Sequence, residues 1–576
     1  MHRKRIHPGL WCVGFLWALA TAGAHAQTFG FNQVDNRIVV DTGAHLRFSV
    51  DTRNGDIVSM NYRDNELQTP GGNGSQLASG LGSAQVSARM VGNVVVVSAK
   101  SRAVVQYYIA AKGRDALYMA TYAPALLPVG ELRFVTRLNV AKLPDAQQEP
   151  DSNVGQAIEA HDVFLLPDGR TSSKFYSARR MLDDAMHGVS GPGVAVYMLM
   201  GNREHSAGGP FFKDIATQKT VVTHELYNYM FSNHTQTEPY RGGLHGVYGL
   251  LFTDGAAPAP DLTDLGFVDD SLGLLGFLGS AGRGAVAGRV SGVAASQPAV
   301  VGLGNADAQY WSTATPGGDF RIAGVRPGQY RITLYENERE VAQDTLEVHA
   351  GVTEQAALTA APPIGPVQWQ IGALDGTTAG FRNASLVQHA HPSDARMAPW
   401  QTPVFTVGTS PDGDFPAAQW RDVNAPVQIA FALAPGEVRD YTLRMYISLA
   451  KGQGRPQVTV NDRWTAPVPA PSIQPDSRGV TRGTYRGNNT VFTVAIPAQA
   501  LQAGTNALAI GVASGNATTG FLGPCIVWDS LQLVPAPDPD PAWRRPAAPS
   551  APAHRGLRPR ACEHAASSQT CHAPEF

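Results

Sequence analysis

Between Gln27 and Leu533 the apolar residues come in short runs, and the runs stop at glycine, proline, asparagine or aspartate. VVVVSAKS (94–101), VVQYYIA (104–110), ALYMATYA (116–123) and LRFVTRLNV (132–140) all have the length of strands, and helical signal is weak. Only one short helix is expected, over the Thr-Gln-Lys-Thr that follows Phe211 to Asp214. Valine and threonine are abundant, and glycine (60) with proline (41) makes up about one residue in six. Charged residues are only 16% of the chain. This combination predicts an all-β protein built from many short antiparallel strands.

The first 26 residues are excluded from the fold. Arg3, Lys4 and Arg5 precede the apolar run GLWCVGFLWALATAG, and Ala24-His25-Ala26 forms a small-residue cleavage site. That pattern is a secretory leader, and its apolar run is too short to be a membrane span. The mature protein is expected to be secreted, to the periplasm or beyond, and the short basic leader favours a bacterial exporter. With a net charge of −2, the chain is not a generally basic nucleic-acid binder. A polyanionic ligand would have to be met by local cations. Of four cysteines, Cys12 leaves with the leader and Cys525 reads as a buried thiol in GPCIVW. Cys562 and Cys571 lie in the tail and could pair. No zinc spacing appears.

At about 100–200 residues per domain, the length calls for three or four domains. Residues 27–279 read as a large β-sandwich. Residues 280–362 change in character: GAVAGRVSG, DFRIAGVRPGQYRITLY and DTLEVHAG are strands around Pro-Gly turns, the mark of a small sandwich of the fibronectin type III kind. It reads as a spacer, with a second binding module as the alternative. A proline-stiffened linker, AAPPIGP, follows. Residues 363–535 form a third β domain with five of the nine tryptophans: Trp369, Trp400, Trp420, Trp464 and Trp528. Trp528 sits in an apolar strand and belongs to the core, while Trp400 and Trp464 have polar neighbours and are candidates for exposure. Residues 536–576 are Pro- and Ala-rich and are expected to be disordered.

The densest chemistry lies in His224–Tyr248, HELYNYMFSNHTQTEPYRGGLHGVY. It holds three histidines, four tyrosines, two glutamates and an arginine in twenty-five residues. Tyrosine offers an apolar face and a hydroxyl together, which suits a sugar. The bland reading is a polar loop with solvated histidines. Tyr227 and Tyr229 alternate onto one face of a strand by period-two geometry. A second stretch, DGRTSSKFYSARR (168–180), places Lys174 between Ser173 and Phe175. Taken alone, Lys174 would be a solvated surface lysine.

SKFYSARR, NYMFSNHTQTEPYRGGLHGVY and the segment Gly130-Glu131-Leu132-Arg133-Phe134 together resemble the active-site region of rhamnogalacturonan lyases of polysaccharide lyase family 4. The three-part layout resembles theirs over nearly the whole mature chain. The resemblance implies a supersandwich-like N-terminal catalytic domain with a groove across one face, a fibronectin type III-like domain and a C-terminal galactose-binding-like jelly roll. It makes Lys174 and His234 the catalytic pair and puts Tyr227 and Tyr229 in the groove.

The implied reaction is β-elimination on the rhamnogalacturonan I backbone of pectin. The enzyme must neutralise the uronate carboxylate, supply a base within about 3 Å of the C5 hydrogen and accommodate the oxygen leaving C4. Lys174 is assigned as the base, which requires a lowered pKa that a cation such as Arg133 can provide. His234 is the proton donor or carboxylate partner, and the reverse assignment is chemically reasonable. Arg133, Tyr227, Tyr229, Glu238 and Arg241 are assigned to substrate binding, with Tyr240 and His245 as further candidates for the groove wall.

The expected partner is the pectic polysaccharide, with no nucleic acid and no membrane, and the protein is expected to be a monomer. No cofactor or catalytic metal is required, since protein cations can meet the carboxylate; a structural calcium would leave little sequence trace. Two competing classes are a glycoside hydrolase using Asp183 with Asp184 or Glu225 with Glu238, and a non-catalytic pectin-binding protein. A metallohydrolase drawing on His161, His224, His234 and His245 lacks any ligand spacing.

Overall fold

The computed structural model describes residues 28–150, 154–233, 237–361, 365–397, 400, 402–474, 487–514 and 523–536. His234, the leader and the Cys562/Cys571 pair fall outside them. Part of the proline linker does too.

The N-terminal part is built on an eight-stranded antiparallel sheet in the order 145–146, 186–191, 194–199, 243–253, 116–123, 104–111, 94–101 and 85–91. Its central strands are buried along nearly their whole length, as in Val104–Ala111. The reason is that both faces are covered. One face packs Val95, Val97, Tyr108, Leu117 and Met119 against the five-stranded sheet of residues 30–66, through Phe48, Val50 and Met60. On the other face, Val96, Ile109, Tyr118 and Leu251 meet Leu262, Leu272 and Leu274 of the segment that leaves the sandwich. Burial on both faces explains why these strands read as continuous apolar runs rather than as an alternation.

A four-stranded sheet completes the layer: Thr217–Lys219, Thr223–Phe231, Leu132–Asn139 and Gln76–Leu77, in that spatial order. The expected short helix is corrected here. Lys213–Asp214 and Thr217–Lys219 are strands, because pairing with a longer neighbour outweighs the weak helical preference of so short a piece. No helix among the described residues is long and apolar enough to cross a membrane.

Residues 284–359 form two small packed sheets, 319–325/284–291/353–359 and 309–313/299–304/328–336/339–348. Their core holds Val286, Phe320, Tyr330, Ile332 and Leu334. Residues 369–535 form two five-stranded sheets around Trp369, Phe415, Tyr441 and Trp528. Trp528 is fully buried, as expected. Trp400 and Trp464, the candidates for exposure, are both half-buried, Trp400 edge-on to Trp420 at 4.7 Å and Trp464 against the main core of this domain. Cys525 is a buried free thiol that burial pushes up to about 12.

The first two sandwiches meet over Glu204, which is 3% exposed. Its carboxylate accepts from Arg283 Nη1 at 2.7 Å, Arg326 Nε at 3.0 Å and the Tyr310 hydroxyl at 2.6 Å. Burial works against this charge, but Arg283, Tyr310 and Arg326 hold the group down at about 2. Glu238 and Arg241, both expected to contact substrate, also make bonds at this junction. Arg241 is buried and donates to the carbonyls of Asn305 (3.0 Å) and Ser206 (2.8 Å) and to Glu238 (2.8 Å). Glu238 in turn accepts from the Gly208 amide at 2.7 Å. The pair ties the first sandwich to the second.

His245 is also interior rather than a groove wall. It stacks on Tyr240 with centroids 5.7 Å apart and lies 5.8 Å from the His205 ring. Burial, reinforced by His205, pushes it from 6.5 down to about 3. Between these values the unfolded chain binds a proton that the folded chain refuses, so His245 costs stability as pH falls below about 6.5. Replacing His245 by Gln should therefore flatten the fall of stability between pH 6.5 and 4.5 by up to about 1.4 kcal/mol per pH unit. Urea unfolding of both proteins across that range checks it, and equal slopes would contradict it.

Candidate functional site

The site is built on two antiparallel strands. Leu132–Asn139 and Thr223–Phe231 pair with Arg133 opposite Tyr229, Val135 opposite Tyr227 and Arg137 opposite Glu225. Alternation sends Phe134, Leu138, Leu226 and Met230 to the sandwich core. It leaves Arg133, Val135, Tyr227 and Tyr229 on the other face. The register shifts between Leu132 and Arg133, since Leu132 faces Phe231 while Arg133 faces Tyr229. Met230 is thus an extra residue, a bulge of the kind that re-aims a strand end.

Tyr227 and Tyr229 stack with ring centroids 5.5 Å apart at 28°. The Arg133 guanidinium lies over both, 5.8 and 5.5 Å from their centroids. It donates to the Tyr229 hydroxyl at 2.6 Å and pairs with Glu131 at 3.0 Å. Burial opposes its charge, but Tyr229 and Glu131 outweigh it and raise the pKa above the usual arginine value. Arg133 is a permanent cation held in one pose. The Tyr227 hydroxyl donates to Glu225, which pairs with Arg137 at 3.1 Å.

Each tyrosine is only 5% exposed, because Phe175, Val135 and Ile215 cover them. They meet the expectation of one shared face, and that face is largely covered. Their ring faces are used on each other, on Phe175 and on Arg133.

Lys174 is brought to this cluster by its neighbour Phe175. Lys174–Ser177 form a single 3-10 turn, in which the Ser173 hydroxyl accepts from the Phe175 amide at 3.2 Å. The Ser177 hydroxyl accepts from the amides of Ala216 and Thr217, both at 3.1 Å, pinning the turn to the sheet. Phe175 packs on the tyrosine pair. The Lys174 ammonium then lies 3.3 Å from Asp162, with its side chain 24% exposed.

His234 follows Asn233, whose backbone is left-handed at φ 55°. Asn233 Nδ2 would lie 3.1 Å from a Cβ at Gly130, which itself has φ +80°. Asn233 thus lies beside Gly130, and glycine is needed there for both conformation and room.

Asp162, Glu131 and Phe175 belong to this cluster by contact, and the sequence reading does not single them out. Phe175 and Glu131 lie inside quoted motifs, but nothing near Asp162 in sequence marks it out. The carboxylates named for hydrolysis each have a cation of their own. Asp183 pairs with Arg180 at 2.6 Å. Asp184 is buried, yet His187 and Arg203 hold it well below the usual carboxylate range. Glu225 is bound to Arg137 and Glu238 to Arg241. Among the described residues no group of three or more His, Cys, Asp or Glu could hold a metal ion.

Comparison with known proteins agrees along the chain. Residues 29–276 match the family described as "Rhamnogalacturonan lyase B, N-terminal", residues 282–356 match "Polysaccharide lyase family 4, domain II" and residues 367–533 match "Polysaccharide lyase family 4, domain III". Rhamnogalacturonate lyase A of Emericella nidulans is 39% identical over 525 residues, covering 90% of this chain and 97% of its own length. Rhamnogalacturonate lyase A of Aspergillus aculeatus is 39% identical over 517 residues, covering 88% and 97%. With three consecutive matches to that family and identity at this level over nearly the whole of both relatives, the chain belongs to polysaccharide lyase family 4.

Proposed function

We propose that this protein is a secreted rhamnogalacturonan lyase that cleaves the alternating rhamnose–galacturonate backbone by β-elimination. The observation that carries the reading is Arg133: a permanent cation, fixed by two tyrosines and Glu131, beside the turn that presents Lys174. Elimination needs such a charge opposite the uronate, because removing the C5 proton pushes electron density onto the carboxylate. A base takes the proton from C5, the C5 electron pair forms the C4–C5 double bond, and the C4–oxygen bond breaks. The departing oxygen receives a proton. Arg133 and the Lys174/His234 pair supply the positive charge, so these steps call on no metal ion. The basic–apolar leader supports export.

Lys174 is assigned as the base and His234 as the proton donor. The contact with Asp162 favours a second assignment, in which Lys174 remains an ammonium that meets the uronate and His234 takes the C5 proton. In either case Lys174→Ala and His234→Ala should each lower the rate about 10²–10⁴-fold while the protein stays folded. The near-ultraviolet absorbance of unsaturated ends released from debranched rhamnogalacturonan I reads this directly. Full activity in either variant removes that residue from the mechanism. Lys174→Arg separates the assignments, since arginine keeps charge but cannot give up its proton. Substantial activity in Lys174→Arg favours His234 as base, and a loss as deep as that of Lys174→Ala favours Lys174.

The same face predicts which polymer is cut. Each cation of this face already has an acidic partner: Arg133 has Glu131, Arg137 has Glu225 and Lys174 has Asp162. Rhamnogalacturonan brings a carboxylate at every second sugar, whereas homogalacturonan would bring one at every sugar to a face with no unpaired cation among these three to spare for the extra charge. An unpaired polar group in such a place costs about 1–3 kcal/mol, more if charged. Rhamnogalacturonan should therefore be cleaved at least about tenfold faster than polygalacturonate. Equal rates would show that this face does not read the alternation.

A further inference from the structure

The loop that presents Lys174 is held from two directions. From beneath, Phe175 and Ser177 anchor it to the sheet. From the flank it is gripped by the C-terminal domain. Thr171 donates to Asp394 through its backbone amide at 2.6 Å and through its hydroxyl at 2.8 Å. The His391 amide donates to the same Thr171 hydroxyl at 3.1 Å, and the Ala395 amide donates to the Gly169 carbonyl at 2.7 Å.

The Asp394 side chain is fully buried. Burial opposes its charge, yet Arg396 and the Thr171 donors hold it down at about 2. A buried carboxylate is costly unless its bonds are satisfied, and this one directs two of them at the loop.

The grip reaches the other member of the lysine's ion pair as well. The His391 ring lies 3.5 Å from the carboxylate of Glu159. The Glu159 carbonyl accepts from the Asp162 amide at 2.8 Å, and Asp162 pairs with Lys174 at 3.3 Å. Gln156–Glu159, Val163–Leu165 and Thr171–Ser172 are three strands of one small sheet. Asp162 sits in the turn between the first two, and Lys174 follows the third. One segment of the C-terminal domain, His391–Arg396, therefore holds the strands that aim both ends of the Lys174–Asp162 pair.

We propose that Asp394, assisted by His391, is a positioning residue for Lys174, so that the C-terminal domain contributes to the chemical step and not only to contact with the polymer. This rests on the reading of Lys174 as a catalytic group. A displacement of about 1 Å at a reacting group can cost about 10²-fold in rate. A domain that only gathered substrate would act on KM.

The test uses the full-length protein, with steady-state kinetics on rhamnogalacturonan I and a thermal melt for each variant. Asp394→Ala and Thr171→Val should lower kcat about ten- to a hundredfold and leave KM within about twofold. Thr171→Ser, which keeps the hydroxyl, should recover kcat to within about threefold of the wild type. Unchanged kcat in the first two variants, or a loss confined to KM, overturns the proposal. If Asp394→Ala does not fold, the Thr171 pair decides the matter by the same outcomes. A wild-type protein that releases no unsaturated ends overturns the lyase reading instead, whereas an active wild type with indifferent variants overturns the positioning role alone.

Discussion

The site depends on the register between Leu132–Asn139 and Thr223–Phe231. With Arg133 opposite Tyr229 and Val135 opposite Tyr227, the guanidinium lands on a pair of stacked rings. A slip of one residue would send it into the core and bring Phe134 to the opposite face. The apolar face of the same strands opposes that slip, since Phe134, Leu226 and Met230 are already committed to the core. Packing of the sandwich thus fixes the position of the charge.

Two further constraints are layered on that register. Phe175 closes the tyrosine pair and carries Lys174 with it, and His391–Arg396 of the C-terminal domain secures the strands on which Lys174 and Asp162 are mounted. The Glu204 cluster and the Glu238–Arg241 pair join the first two sandwiches. Charged residues in this protein are few, and several of them are used to bind one domain to another.

Features governed by local pattern were legible in the sequence. Strand-length apolar runs gave the all-β class, and period-two spacing placed Tyr227 and Tyr229 on one face. Trp528 and Cys525 were recognised as buried from their apolar neighbours. Features set by distant partners were not legible. Asp394 and Thr171 are 223 residues apart, and Asp162 meets Lys174 only because a small sheet folds back. Glu238 and Arg241 share a polar stretch with the tyrosines, and nothing in that stretch announces their partners at residues 206–208 and 305. The burial of the tyrosine rings was hidden for the same reason, since Phe175 and Ile215 reach them from other segments.

A lyase cuts this backbone by elimination rather than with water. Digestion of rhamnogalacturonan I in water enriched with oxygen-18, followed by mass spectrometry of the oligosaccharides, tests it most directly. Elimination breaks the C4–oxygen bond without adding water, so the non-reducing fragment ends should be unsaturated and the products should carry no oxygen-18 from the cleavage. After correction for slow exchange at the reducing end, saturated products bearing one oxygen-18 for each bond cut would contradict the account.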